Sequence, residues 1–289
     1  MISERIEFVQ RKFGPVFSQD NEAIFFNPET PSHCLSLSLG KLVAYQTLFP
    51  VVDQLETAGI KCVQSISQQK FNLAIISIPN SKKLARHLIY LATKAVPEGL
   101  IIVDGEKSNG IESVIRDLKK YTKITNVISK AHGKTAWFET PADLEMYKDI
   151  PLKIEDGFKT RAGVFSADGI DPASKLLAQL LPGDLTGVGA DLGGGWGYLS
   201  VKALEKDSIS ELHFIEADFT AINLAKNNLN DQRVKFYWCD ALTWKAPKLL
   251  DFIIMNPPFH HLGRAIPRLG VDFIKVASRN LKKSGTLWM

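Results

Sequence analysis

Cysteine is scarce in this sequence: Cys34, Cys62 and Cys239 are the only three in 289 residues, far apart and without a Cys-x-x-Cys pair. That spacing speaks against a disulfide framework or a zinc centre and points to a reducing compartment. Long apolar runs are missing as well, since none reaches the roughly 18 residues that a membrane span needs. The first stretch, MISERIEFVQRKFG, interleaves charge with apolar side chains and holds no signal-peptide core. A cytoplasmic protein without membrane contact is expected. Charge of either sign is nearly balanced, with 35 Lys and Arg against 31 Asp and Glu and a net +4. Such a balance is compatible with a polyanionic partner but does not demand one.

What is present is a globular composition, 45% hydrophobic and 23% charged, on a chain long enough for two domains with cores of their own. A faint internal repeat gives the organisation. NLAIISIP (72–79) lies over DFIIMNPP (251–258), apolar positions matching apolar positions. A helical stretch follows each, SKKLARHLIYLATKAV and VDFIKVASRNLKK, and then a Gly and a strand, GLIIV (99–103) and GTLWM (285–289). Two strand–helix–strand units of one design imply two related α/β lobes. The boundary falls in the charged stretch ETPADLEMYKDIPLKIEDG (139–157), punctuated by Pro141 and Pro151, and gives lobes of 1–145 and 146–289.

The first lobe continues into a helix, GIESVIRDLKK, and two strands, ITNVISKAH and KTAWFET. The second stops at Met289 inside an apolar strand, an aggregation-prone edge, so a further C-terminal segment is expected. Within the second lobe Asp171-Pro172 caps a helix that ends before Pro182-Gly183. Strand GVGADLG, helix GYLSVKALEK, strand ELHFIEA, helix TAINLAKNNLN and strands VKFYWCD and DFIIMN come next. This alternation predicts a Rossmann-like, doubly wound and mostly parallel sheet.

Four strand ends carry chemistry. GADLGGGWGYLS (189–200) delivers Asp191 to a turn with Gly193, Gly195 and Gly197, where a ligand can approach bare backbone N–H groups. Its Gly-x-Gly-x-Gly spacing is not the Gly-x-Gly-x-x-Gly of dinucleotide binders, and no Gly-Lys-Ser/Thr follows it. Glu216 ends the next strand, where a carboxylate can accept both hydroxyls of a ribose. Asp240 ends the third, where an adenine amino group is expected. Trp196 takes the place of a small residue inside the turn, either lining the ligand site or packing on the N-terminal lobe. Strand DFIIM then ends in Asn256-Pro257-Pro258-Phe259, at the edge where open α/β sheets bind ligands.

In this order, DLGGGWG, Glu216, Asp240 and NPPF resemble a class I S-adenosylmethionine-dependent methyltransferase over about residues 160–289. In that family an Asn-Pro-Pro-aromatic tetrapeptide marks enzymes that methylate an exocyclic or amide nitrogen. AGVFSADGIDPASKLLAQLLP (162–182) is similar to a segment of the bacterial small-subunit ribosomal RNA guanine-N2 methyltransferases. Those enzymes carry a degenerate, cofactor-less copy of the domain at the N-terminus. The repeat fits, since Ser77 and Ile78 stand in the first lobe where Asn256 and Pro257 stand in the second. Members of the family end in a helix and an antiparallel strand pair that this sequence does not contain.

The resemblance implies S-adenosylmethionine bound by Asp191, Gly193, Gly195, Gly197, Glu216, Asp240 and Asn256. It implies catalysis by Asn256, Pro257 and Phe259, and substrate contacts from Phe165, His260 and Arg264. Ribosomal RNA or the small ribosomal subunit is the expected partner, a monomer the expected state. His260-His261 lack carboxylate or Cys partners at ligand spacing, so they read as rim residues and no metal is expected. A methyltransferase for adenine N6 or a protein glutamine, or an RNA-binding assembly protein without activity, remain the alternatives.

Overall fold

Strands buried on both faces read as unbroken apolar runs, and helices between them supply the cover. The computed structural model follows that logic; it describes residues 2–66, 69–141, 143–257, 260–261, 264–265 and 267–289. The chain divides into two compact units, one of residues 1–47 and 51–150, the other of 48–50 and 151–289.

In chain order the first part carries α1 (Ile2–Phe13), β1 (Glu22–Phe26), α2 (Pro31–Leu35), β2 (Lys41–Tyr45), α3 (Phe49–Thr57) and β3 (Lys61–Val63). It continues with β4 (Leu73–Ser77), α4 (Lys82–Ala95), β5 (Leu100–Glu106), α5 (Ile111–Leu118), β6 (Asn126–Lys130) and β7 (Gly133–Glu139). The strands form one sheet of order β3-β2-β1-β4-β5-β7-β6. β1 to β5 run parallel, and the β6–β7 hairpin adds antiparallel to β5. β4 is buried at every position. Ser81 starts α4 by accepting the Leu84 amide, and the helix lays its apolar stripe on the sheet through Ala85, Leu88, Ile89 and Ala92.

The second part opens with a short antiparallel pair, β8 (Leu152–Lys153) and β9 (Lys159–Thr160), and α6 (Pro172–Leu180). Then come β10 (Gly187–Leu192), α7 (Tyr198–Leu204), β11 (Ile209–Glu216), α8 (Phe219–Asn228), β12 (Val234–Trp238) and β13 (Leu250–Ile254). β14 (His260–His261), β15 (Arg264–Ala265), α9 (Pro267–Asn280) and β16 (Leu281–Trp288) complete the elements. The sheet is parallel throughout, in the order β12-β11-β10-β13-β16. Alternation along β13 builds two cores, with Phe252 and Ile254 on one face and Ile253 and Met255 on the other.

Both sheets thus share one order around their first five strands, and the repeated sequence occupies the same place in each, as β4 and β13. Two boundaries differ from the sequence reading. Residues 281–283 read as the last turn of a helix but open β16. The helix stops at Asn280, whose side chain donates to the Val276 carbonyl and accepts the Ala246 amide, and Leu281 pairs with Leu250 across a register shift. Similarly, β12 ends at Trp238, so Asp240 lies in the turn beyond the strand and not at its end. Among the described residues no helix is long and apolar enough to cross a membrane.

Candidate active site

Because every strand of the second sheet points the same way, all their C-terminal ends line one edge. From β10 the chain winds outward through β11 and β12, then returns to β13 on the other side of β10. That reversal opens a crevice between β10 and β13, the place where ligands settle on such sheets. Asp191 of β10 pairs in register with Ile254 of β13, and Asn256 follows two residues later.

The turn after β10 needs its glycines for two different reasons. Gly193, Gly195 and Gly197 have φ of 73°, 59° and 99°, a left-handed backbone that residues with a Cβ adopt at a cost. Gly194 is needed for space, since a Cβ there would stand 2.3 Å from the Phe214 ring. Around a Cβ placed on Gly195, by contrast, nothing lies within 4 Å, so this part of the turn faces open room. Gly194→Ala is expected to destabilise the unit by about 1–3 kcal/mol through overpacking, read from its urea midpoint. An unchanged midpoint would show that Phe214 can give way.

Two carboxylates sit beside this turn. Asp191 is fully buried; its Oδ2 accepts from the Ser200 hydroxyl at 2.6 Å, and its Oδ1 has no partner among the described residues. Burial pushes its carboxyl up to about 7, against the Ser200 bond. Glu216 closes β11, with Oε2 accepting the Gly195 amide and Oε1 the Asp218 amide, each at 2.7 Å. Its side chain keeps some solvent access, yet desolvation of the carboxyl outweighs both amides and raises it to about 7. Asp240 accepts the Leu242 amide at 2.8 Å in its own turn. Nearby, the Trp238 indole donates to the Ala217 carbonyl, with the Phe219 ring edge-on at 5.0 Å.

On the far side of the crevice the Asn256 amide nitrogen donates to Asp171 Oδ2 and Ser174 Oγ, both at 2.9 Å. Pro257 is buried behind it. Asp171, Ser174, Asn256, Gly193–Gly195, Trp196 and Phe165 line a common cleft. Trp196 is packed against Phe158 and Tyr198, and its indole N–H holds the Phe165 carbonyl at 3.0 Å, leaving the Phe165 ring 60% exposed at the rim. Phe259 lies outside the described residues. His260 and Arg264 belong to a two-residue antiparallel ladder, β14 with β15. Among the described residues no cluster of His, Cys, Asp or Glu could hold a metal ion.

Sequence reasoning found Asp171 only as a helix cap and missed Ser174 and Ser200 altogether. A cap signal is local, whereas the bond from Asp171 to Asn256 spans 85 residues.

The chain matches the methyltransferase small domain over residues 155–289 and the N-terminal domain that accompanies it over residues 39–140. It is 29% identical over 231 residues to the ribosomal RNA small subunit methyltransferase C of Acinetobacter baylyi, covering 74% of this chain and 68% of that protein. Identity to the ribosomal RNA large subunit methyltransferase G of Yersinia pestis is 27% over 253 residues, covering 82% of this chain and 64% of that one. A T. thermophilus 16S rRNA N2 G1207 methyltransferase (RsmC), solved with AdoMet and guanosine, shares the fold. Its TM-score is 0.74 at 20% identity, over 99% of this chain and 82% of that one. A parallel sheet with a glycine turn and two carboxylates at its ligand edge, inside two adjoining matches between residues 39 and 289, places the chain in the methyltransferase small-domain family of class I S-adenosylmethionine-dependent methyltransferases.

Proposed function

We propose that this protein methylates the exocyclic N2 amine of a guanine in ribosomal RNA, with the small-subunit RNA as first candidate. The observation that carries the reading is Asn256-Pro257 at the end of β13, across the crevice from the glycine turn. The names of the small-subunit relatives support the substrate class. A cytoplasmic monomer is part of the same reading.

The residues present fit the cofactor. Asp191 Oδ1 is a buried acceptor waiting for a donor, and the room before Gly195 would be filled by any side chain. Asp191, Gly193, Gly195, Gly197, Glu216 and Asp240 would hold S-adenosylmethionine, with Glu216 taking the ribose hydroxyls. When bound, that molecule supplies a methyl group on a positively charged sulfur.

A guanine amine is a poor nucleophile because its lone pair is delocalised into the ring. Two acceptors aimed at its N–H bonds favour the tetrahedral nitrogen that exposes the pair, and they stabilise the positive charge that develops there. Asn256 Oδ1 and the Pro257 carbonyl are those acceptors. Proline holds its carbonyl at a fixed φ and brings no competing N–H. Phe259 and the exposed Phe165 ring would stack on the base, worth about 1–3 kcal/mol per base. A guanine inside a helix must first be flipped out of its stack. Arg264 would meet phosphate and His260 the rim of the substrate.

The N-terminal unit would serve as a catalytically dead relative. At the end of β4 the Ser77 carbonyl is taken by the Asn27 amide at 3.0 Å and the Ile78 carbonyl by Asn109 at 3.1 Å. Where the other unit offers the Asn256 side-chain amide and the Pro257 carbonyl, this one offers a serine side chain and a carbonyl that already accepts one bond.

The test is methyl transfer to purified small-subunit RNA, both naked and in assembled subunits, with the modified nucleoside mapped. Large-subunit RNA is the informative competitor, given the Yersinia relatives. Methyl groups found on adenine or protein, or none at all, would end the proposal.

Binding should also be linked to protons. A carboxyl raised to about 7 is part-protonated in the free protein at neutral pH. The folded chain then holds more protons than the unfolded chain between about pH 4 and 7, so these groups favour folding at acid pH and less as pH rises to 7. Ligand hydroxyls donating to Glu216 favour its ionised form. S-adenosylhomocysteine binding is therefore expected to release up to about half a proton at pH 7, more toward pH 6, and to tighten from pH 6 to 8. Calorimetry in phosphate and in Tris reads the release directly; equal enthalpies in both buffers would contradict it.

A further inference from the structure

We infer that Asp171 and Ser174 are positioning residues that lock the Asn256 amide with its oxygen, and not its nitrogen, toward the target amine. The inference rests on the reading of Asn256 as an acceptor. An asparagine side chain has two faces of nearly equal shape and opposite hydrogen-bonding sense. Flipped by half a turn, Asn256 would present N–H groups to an amine that itself donates, and transfer would lose an acceptor.

The flip is decided by chemistry. Asp171 Oδ2 already accepts the Ser174 amide, and an acceptor oxygen is met by the NH2 of Asn256 and not by its oxygen. Both N–H bonds are then taken, one by Asp171 Oδ2 and one by Ser174 Oγ, each at 2.9 Å. Only Oδ1 is left for a substrate. The partners are themselves fixed. The same Asp171 Oδ2 caps α6 by accepting the Ser174 amide at 2.8 Å, and Pro172 follows at the first turn. Ser174 is buried at 7% exposure. Capping alone would need one acceptor for one amide; the two further bonds to Asn256 have no use in holding α6.

Three variants separate the lock from the cap. Asp171→Ser keeps a good capping residue but is too short to reach Asn256. Asp171→Asn keeps both, because the capping bond turns its oxygen inward to the spot that Oδ2 occupies. Ser174→Ala removes the second acceptor. With small-subunit RNA as substrate, Asp171→Ser is expected to lower kcat about 10- to 100-fold, as misorientation of a reacting group does. KM for RNA and affinity for S-adenosylhomocysteine should stay within about two-fold, and Asp171→Asn should stay within about three-fold of wild type. Ser174→Ala should fall between them.

A second readout needs no RNA. In protein labelled with 15N-asparagine, the Asn256 NH2 pair, assigned by its loss in Asn256→Ser, should exchange slowly in wild type and Asp171→Asn and rapidly in Asp171→Ser. Wild-type kcat in Asp171→Ser, equal NH2 protection in Asp171→Ser and wild type, or an Asp171→Asn variant as impaired as Asp171→Ser each overturns the lock. Failure of the wild-type protein to methylate guanine overturns the function proposed above, and the exchange pattern still decides whether the lock exists.

Discussion

Asn256→Ala is expected to cut methyl transfer to ribosomal RNA by at least about 10²- to 10³-fold while leaving S-adenosylhomocysteine affinity within about two-fold. The magnitude is that of removing one preorganised group aimed at charge that develops only during reaction. The split follows from where the side chain sits. Its nitrogen is bonded to Asp171 and Ser174, whereas the carboxylates of β10 and β11 accept from the Ser200 hydroxyl and from the Gly195 and Asp218 amides. Truncation should also spare the fold, because Asp171 keeps its capping bond to the Ser174 amide. An interaction made only with the transforming amine lowers kcat and kcat/KM together. Product binding by calorimetry beside single-turnover transfer gives both quantities. Wild-type turnover would remove Asn256 from the mechanism; a parallel collapse of product affinity would make it a cofactor ligand instead.

The sheet was legible because its strands announce themselves by local pattern. LAIIS and DFII are apolar runs of strand length, each followed by a helical stripe, and both sit beside the first strand of their sheet, β4 next to β1 and β13 next to β10. Asp191, Glu216 and Asn256 were legible for the same reason, since each stands at or just past a strand end, and a parallel sheet gathers its strand ends on one edge. Less legible were residues whose role depends on distant partners. Lys282 reads as a helix end, but its ammonium pairs with Asp251 at 2.7 Å from within β16. Trp196 reads either as a ligand wall or as a contact to the N-terminal lobe; it lines the cleft, but from within a buried aromatic cluster, and it also holds the Phe165 carbonyl there. Spacing of 31 residues between those two carries no periodic signal.

The N-terminal unit offers the other large effect: Asp104→Ala should destabilise it by about 3–5 kcal/mol, the cost of leaving a buried charge without its partner. Asp104 sits in β5 and Arg5 in α1, with side chains only 2% and 3% exposed. The pair is bidentate, Arg5 Nε to Oδ1 at 2.7 Å and Nη2 to Oδ2 at 2.6 Å, and the Thr135 hydroxyl donates to the same carboxylate. Arg5 also donates to the Ala131 carbonyl at 3.2 Å. That bond steadies a costly turn, because Ala131 and His132 both have positive φ, 47° and 56°, between β6 and β7. Gly133 makes room for the guanidinium, since a Cβ there would stand 2.5 Å from Arg5 Nη1. Losing the carboxylate therefore strands a charge and loosens the hairpin that covers β5.

Hydrogen exchange of the β4, β5 and β7 amides reports on this unit alone, which a single melting curve of a two-unit chain does not. The double change Arg5→Met with Asp104→Leu should recover most of the loss, because a packed apolar pair replaces a buried ion pair at little cost. That variant also tests what the unit is for. A folded body that merely supports its neighbour should leave methyl transfer intact in the double variant, while Asp104→Ala lowers it in step with unfolding. If Asp104→Ala costs less than about 1 kcal/mol, water must be reaching Arg5, and the ion pair is not what anchors α1 to the sheet.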